Sequence, residues 1–389
     1  MKFFHNRWSL FAVVAALPGL AACSDGTTSP PPPPPPDVDP PAYTVLEAGG
    51  AHTCGVSQRG TYCWGSGARG QIGDGASQDR VQPTRLISAV EFVDVDAGTE
   101  HTCGLASNDR VFCWGAGTDG QIGDGAQEDR ATPTQVSSTI LFRSVSAGTV
   151  HTCGVSTADE TYCWGSGEAG RLGTGNTTSR PSPAVVIGGI TFVEVSAGDA
   201  HTCGVTAADQ VYCWGEGDDG RLGTGNLIDR LEPAPVTGGL DFTHVSAGGR
   251  HTCAVTAGGQ AYCWGYGGDG QLGSGTTATL LQPLLVQGGL QFESISAGID
   301  HTCGVTTDGL AYCWGAGVNG QLGTGNELSR LEPAIVSGPI DHRAATAGED
   351  HTCSFLADGS AYCWGLGQGG RLGTGNEDTR LTPARVVGG

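Results

Sequence analysis

Lysine is all but missing from this sequence of 389 residues: Lys2 is the only one, and Lys and Arg together number 19 against 39 Asp and Glu. The formal net charge is −20 at neutral pH. So few cations give no basic footprint for phosphates, which excludes nucleic acid as a partner. They also give no attraction to anionic lipid headgroups. Apolar runs are short: Leu10 to Leu17 is too brief to cross a bilayer as a permanent helix. A helical period of useful length is absent. Charged residues make up only 15%, whereas Gly occurs 67 times, a balance that favours tight turns between short strands.

The first segment reads as targeting rather than structure. Lys2 and Arg7 form a positive start, an apolar core follows, and Leu20-Ala21-Ala22-Cys23 ends it as a cleavage site. This resembles the bacterial lipoprotein signal, which implies that Cys23 carries lipid and begins the mature chain. Ser24, not Asp, follows the cysteine, which by the Gram-negative sorting rule implies the outer membrane. The expected location is therefore the cell envelope, facing periplasm or exterior, with membrane contact through the lipid alone. Seven prolines, Pro30 to Pro36, then form a polyproline II spacer of about 3 Å per residue. The expected domains are a signal over 1–22, a lipidated linker over 23–42 and one folded body over 43–389.

That body is a repeat. His-Thr-Cys begins at His52, His101, His151, His201, His251, His301 and His351, and each copy runs on to Cys-Trp-Gly, a Gly-rich stretch and a Pro. Each unit offers four short strand candidates separated by Gly, Asp, Asn and Pro. Four strands at a period near 50 residues predict an all-β, seven-bladed β-propeller, because a blade buries its faces only against neighbouring blades. The early strand near Val45 is expected to share a blade with the terminal Pro383–Val387.

The unit Ala-Gly-x-x-His-Thr-Cys…Tyr-Cys-Trp-Gly-x-Gly-x-x-Gly-Gln-Leu-Gly…Pro-x-x-Val resembles the repeat of the regulator of chromosome condensation family over residues 43–389. The resemblance implies the propeller fold. It leaves function open, since that family includes a nuclear nucleotide-exchange factor, a plant ultraviolet-B photoreceptor and a secreted β-lactamase inhibitor, which share a face that docks another protein.

Fifteen cysteines divide into Cys23 and seven hairpin pairs. With Gln58-Arg59 as the tight turn, Cys54 faces Cys63. The other pairs are one residue further apart and need a three-residue loop. They are Cys103 with Cys113, Cys153 with Cys163, Cys203 with Cys213, Cys253 with Cys263, Cys303 with Cys313 and Cys353 with Cys363. Opposed residues lie within disulfide reach, and an exported protein meets an oxidising compartment, so seven intra-hairpin disulfides are expected. The rival zinc reading lacks a regular fourth ligand. The repeated His is expected to bond backbone groups, and Arg80 and its equivalents to bond carbonyls of the Gly-rich loop.

Gly65-x-Gly67-x-x-Gly70 mimics a dinucleotide fingerprint but precedes no helix. Asp74 and Asp124 hint at calcium loops, yet later copies carry Thr or Ser there. No nucleophile–base set stands out, so a non-catalytic protein with no cofactor or metal is expected. Recognition belongs where the copies differ, in the two residues before each His-Thr. Glu100, Val150, Asp199, Arg250, Asp300, Glu349 and Asp350 fall there and predict a ring that docks an unidentified basic or mixed-charge protein on a monomer. An inhibitor of a secreted or periplasmic enzyme such as a β-lactamase is the alternative. Guanine-nucleotide exchange, the activity of the family namesake, fits an exported chain poorly.

Overall fold

The computed structural model describes residues 40–338 and 340–388. Cys23 and Pro30 to Pro36 lie outside the described residues. Strands β1 (Tyr43–Ala48), β2 (His52–Ser57), β3 (Gly60–Gly65) and β4 (Arg80–Arg85) form one antiparallel meander. Six further four-stranded sheets follow in the same order, their innermost strands starting at Phe92, Phe142, Phe192, His244, Phe292 and His342. The molecule is a seven-bladed β-propeller, with three short 3₁₀ turns as its only helical pieces among the described residues.

Position in the blade explains each strand's composition. β1 lines the axis and alternates, burying Tyr43, Leu46 and Ala48. β2 is buried throughout and β3 almost so, because neighbouring blades cover both faces. The outermost strand of every blade contains a proline: Pro83, Pro133, Pro183, Pro233, Pro283, Pro333 and Pro383. A proline has no N–H to offer, so each blade ends in an edge that cannot template another strand.

The hairpin register is the one the cysteines require. Cys54 opposes Cys63 and Val56 opposes Thr61. In the longer loops the third residue takes positive φ (Asp109, Asp159, Asp209, Gly259, Gly309, Gly359), which brings Cys103 opposite Cys113 and so on round the ring. Every expected bridge is formed, with Cα atoms 4.1 Å apart in each. Cys54 bonds Cys63, Cys103 bonds Cys113, Cys153 bonds Cys163 and Cys203 bonds Cys213. Cys253 bonds Cys263, Cys303 bonds Cys313 and Cys353 bonds Cys363. All of these cysteines are fully buried, which makes them core residues and not contact residues for a partner.

Closure differs from the expectation. β1 pairs with β2 of its own blade, and Arg380–Arg385 pairs with Ala361–Gly365 of the last. Each repeat already supplies four strands in chain order, so none is left over to share. The last seam is held instead by the Tyr43 N–H donating to Gly359 O at 2.8 Å, the Gly375 N–H to Val81 O at 2.9 Å and the Ala48 N–H to Thr346 Oγ1 at 3.0 Å.

The core is likewise divided among the seams. One cluster joins Cys54, Cys63, Ile72 and Leu86 of the first blade to Phe92, Val95 and Trp114 of the second. The last-to-first seam repeats this with Cys353, Cys363 and Leu372 against Tyr43, Leu46 and Trp64. Each disulfide thus packs beside the next blade's fully buried Trp, whose apolar area is worth roughly 5 kcal/mol.

Candidate partner-binding face

The seven His-Thr pairs form a closed relay beneath one face of the disc. His52 Nε2 lies 2.8 Å from Thr102 Oγ1 in the next blade, and Thr102 donates its proton to Gln71 O at 3.0 Å. A hydroxyl has one proton, so Thr102 must accept from His52, which fixes the imidazole as the neutral Nε2–H tautomer. Trp114 Nε1 donates to the same carbonyl at 2.9 Å. The His–Thr–carbonyl pattern repeats to His351, which meets Thr53 at 2.9 Å, while Thr53 donates to Arg371 O at 2.9 Å. The indole bond recurs in every blade except the fourth, where Trp214 Nε1 has no partner among the described residues. The histidines therefore bond a neighbour's hydroxyl, not backbone as expected. Burial lowers their pKa values, to about 3 for His52, His251 and His301 and about 4 for His101. They are uncharged structural bolts.

Above the relay, the two variable residues of each loop separate into two tiers. The first members, Gly50, Thr99, Thr149, Asp199, Gly249, Ile299 and Glu349, surround the narrow mouth of the axial channel. Backbone bonds from Gly50, Thr99, Thr149, Asp199, Gly249 and Ile299 to the next blade's Gly carbonyl hold them at 3.0–3.3 Å. The approach is so close that a Cβ on Gly98 would sit 2.3 Å from Gly148 O, which is why the Ala-Gly is in every copy.

The second members sit at the equivalent place in each loop, and three of them contact a residue 31 positions earlier in the preceding blade's Gly-rich loop. Arg250 binds Asp219 at 2.9 Å and lies 4.0 Å over the Tyr266 ring. Asp350 accepts from Asn319 Nδ2 at 2.8 Å, and Glu100 lies 3.8 Å from Arg69. Several residues expected to face only a partner are therefore engaged within the ring. The corresponding positions at other seams are Asp119 with Val150, Ala169 with Ala200 and Gly369 with Ala51. Asp269 with Asp300 is the exception, a pair of like charge. Burial, then Asp269, raises the Asp300 pKa; burial, then Asp350, raises that of Glu349. Asp199 turns its carbonyl to Arg171 Nη1 at 3.2 Å.

Below the mouth the channel widens to about 510 Å³. Glu47, Asp94 and Asp96 crowd one side of it, where burial raises all three pKa values, that of Asp96 to about 6. On the other side Glu194 meets His244 Nδ1 at 2.8 Å. In most other blades the place of Asp96 is taken by Ser or Thr, whose hydroxyl accepts the next blade's Ala N–H.

Two further expectations are corrected here. Arg80 bonds one loop carbonyl only at long range, Asp79 O at 3.5 Å; its main partner is Asp74, which it clamps at 2.5 and 2.7 Å, and Arg130 clamps Asp124 in the same way. Those aspartates are thus spoken for by guanidinium. Among the described residues no group of three or more His, Cys, Asp or Glu is placed to hold a metal ion.

A closed ring whose repeated His and Thr serve its seams, with variable loops on one face, defines a propeller of the kind generally used for binding or regulation. Family models sharpen this: residues 87–388 match the RCC1-like domain, and residues 60–105 match the regulator of chromosome condensation (RCC1) repeat. The chain belongs to the RCC1-like domain family. No curated protein matches it by sequence. Among solved structures it is similar to Saccharomyces cerevisiae Prp20p (20% identity, TM-score 0.75, covering 90% of this chain and 87% of that one). Human WBSCR16 is similar at 22% identity and TM-score 0.76, over 84% of this chain and 93% of that one. The ectodomain of the Physcomitrella patens receptor kinase CR4 is more distant, at 22% identity and TM-score 0.55, over 82% and 72%. At these identities the likeness concerns the fold.

Proposed function

We propose that this chain is a non-catalytic docking platform, held outside the cytoplasm by lipid on Cys23, whose channel-mouth face binds a basic or mixed-charge protein. One observation carries the reading. The two variable positions of those loops hold five carboxylates (Glu100, Asp199, Asp300, Glu349, Asp350) against the single Arg250, over a scaffold nearly identical from blade to blade. Prp20p, of the same fold, was characterised for binding Gsp1p and histones, so a propeller of this type does serve protein docking. Seven disulfides suit an oxidising compartment and so support export, and the CR4 ectodomain provides a precedent for the fold on a cell exterior.

Crosslinking on intact cells, followed by affinity measurement with the captured protein, tests the docking half. Asp199→Asn combined with Glu349→Gln should weaken that affinity at least fivefold at physiological salt; unchanged binding sinks the proposal. Anchoring is tested separately: Cys23→Ser should release the chain from the envelope fraction, and an unlipidated, cytoplasmic wild-type chain would refute it.

A further inference from the structure

One position of the innermost strand bonds across the seam in six blades. The Ala147 N–H donates to the Asp96 carboxylate at 3.0 Å. The corresponding Ala N–H groups of the other blades donate to the hydroxyls of Ser146, Ser196, Ser246, Ser296 and Thr346 at 2.9–3.0 Å. Glu47 holds the seventh place and makes no such bond. Its carboxylate has no hydrogen bond or ion pair among the described residues; it lies deep in the molecule and lines the chamber of about 510 Å³ below the mouth. A buried carboxylate without a partner costs stability. A ring that had only to close would gain nothing from Glu where the other copies place Ser, Thr or Asp.

The chamber is polarised around this residue. On the side of the first two blades Asp94 and Asp96 join Glu47, and both act on it electrostatically. From the fourth blade to the seventh, Ser196, Ser246, Ser296 and Thr346 each accept a backbone N–H, which leaves the hydroxyl proton to donate. Among the described residues that line the chamber there is no Lys or Arg, and its one imidazole, His244, is held by Glu194 at 2.8 Å. The acids are not placed to share a metal ion. They suit an ammonium, whose three N–H groups can reach separate oxygens. The hydroxyl side suits the oxygens of a polyol. A chamber of this volume falls within the range of small-molecule sites.

We infer that the axial chamber binds a polyhydroxylated primary amine of the amino-sugar class, its ammonium on the Glu47 side and its ring oxygens on the hydroxyl side. Entry is from the end away from the narrow mouth, where the half-exposed Val193 lines the wall. The site is separate from the docking face proposed above and does not depend on it.

The test is isothermal titration calorimetry of the full chain with glucosamine, at about 0.15 M salt. N-acetylglucosamine keeps the ring and loses the charge, whereas spermidine keeps the charge and has no hydroxyl. Glucosamine should bind one to one, about tenfold more tightly than either comparison ligand. Glu47→Gln, which preserves the shape of the side chain, should weaken glucosamine about tenfold and leave N-acetylglucosamine unchanged. Glu327→Gln, on an exposed outer loop, removes the same charge and should change affinity less than about twofold. Equal losses in the two variants would reduce the effect to net charge and overturn the inference. So would no one-to-one binding of glucosamine, wild-type affinity in Glu47→Gln, spermidine or N-acetylglucosamine binding as tightly as glucosamine, or calcium displacing it.

Discussion

Lowering the pH from 8 to 5 is expected to remove on the order of 10 kcal/mol of folding stability, through the seven bolted imidazoles. An unfolded histidine titrates near 6.5 and is almost wholly protonated at pH 5. In the folded ring His52, His251 and His301 stay neutral down to about 3 and His101 to about 4, and burial holds His151, His201 and His351 well below the usual value. The unfolded chain therefore binds more protons as pH falls, so this contribution is complete above about 6.5 and is lost below it. At pH 5 each imidazole costs about 2 kcal/mol, or about 14 kcal/mol for all seven, at 1.36 kcal/mol per pH unit. Groups with raised pKa values work the other way, gaining stability as pH falls. Glu47, Asp94, Asp96 and His244 are of this kind, and Asp96, at about 6, returns only about 1–2 kcal/mol. The assay is urea unfolding at pH 8, 6.5 and 5 with disulfides intact, followed by fluorescence of the buried Trp residues. A stability that stays flat from pH 8 to 5, or imidazoles titrating above pH 6 in the folded state, would refute the reasoning.

Three substitutions probe the seams further. Thr202→Val strands the His151 Nε2–H and takes a donor from Arg171 O; it should cost about 1–3 kcal/mol in urea unfolding, with Thr202→Ser restoring most of it. Arg80→Ala leaves the Asp74 carboxylate, only 5% exposed, without its cation. A loss of about 3 kcal/mol is expected by chemical denaturation, relieved when Asp74→Thr is added, the residue later copies carry. Cys153→Ser with Cys163→Ser should lower global stability by only about 1–2 kcal/mol, because the turn already holds the strands together, while speeding amide exchange at the tip of that hairpin.

The sequence made the blades legible and the seams opaque. Spacing from His52 to His351 counted the units, and the offset of Cys54 from Cys63 set the hairpin register, because both are contacts within one repeat. The same held for Cys163, Cys213, Cys263 and Cys313, each found opposite the cysteine ten residues before it. Contacts between repeats join residues that recur in every copy, so His52 gives no hint that its partner is Thr102 rather than a backbone group nearby. Closure failed for a related reason: Val45 and Pro383 both looked like strands, and nothing local said which sheet would take them. One inter-blade signal was present. Arg69 with Glu100, Asp219 with Arg250 and Asn319 with Asp350 change type together at a fixed offset, and reading the copies against each other at 31 residues would have revealed the latches and the odd pair of Asp269 and Asp300. Asp74 with Arg80 was similarly visible, since Asp occurs there only in the first two copies.

Because no strand is traded between the first and last blades, the join between them is chemically the same as the other six. Nothing in the circle marks where the polypeptide starts. Linking the residues after Arg385 to those before Tyr43 and opening the chain at any other inter-blade turn should reproduce the same ring as a circular permutant. Evolution can likewise have reached seven by copying one blade and inserting it whole, since a newcomer has only to offer a Thr to the histidine behind it and a His to the threonine ahead.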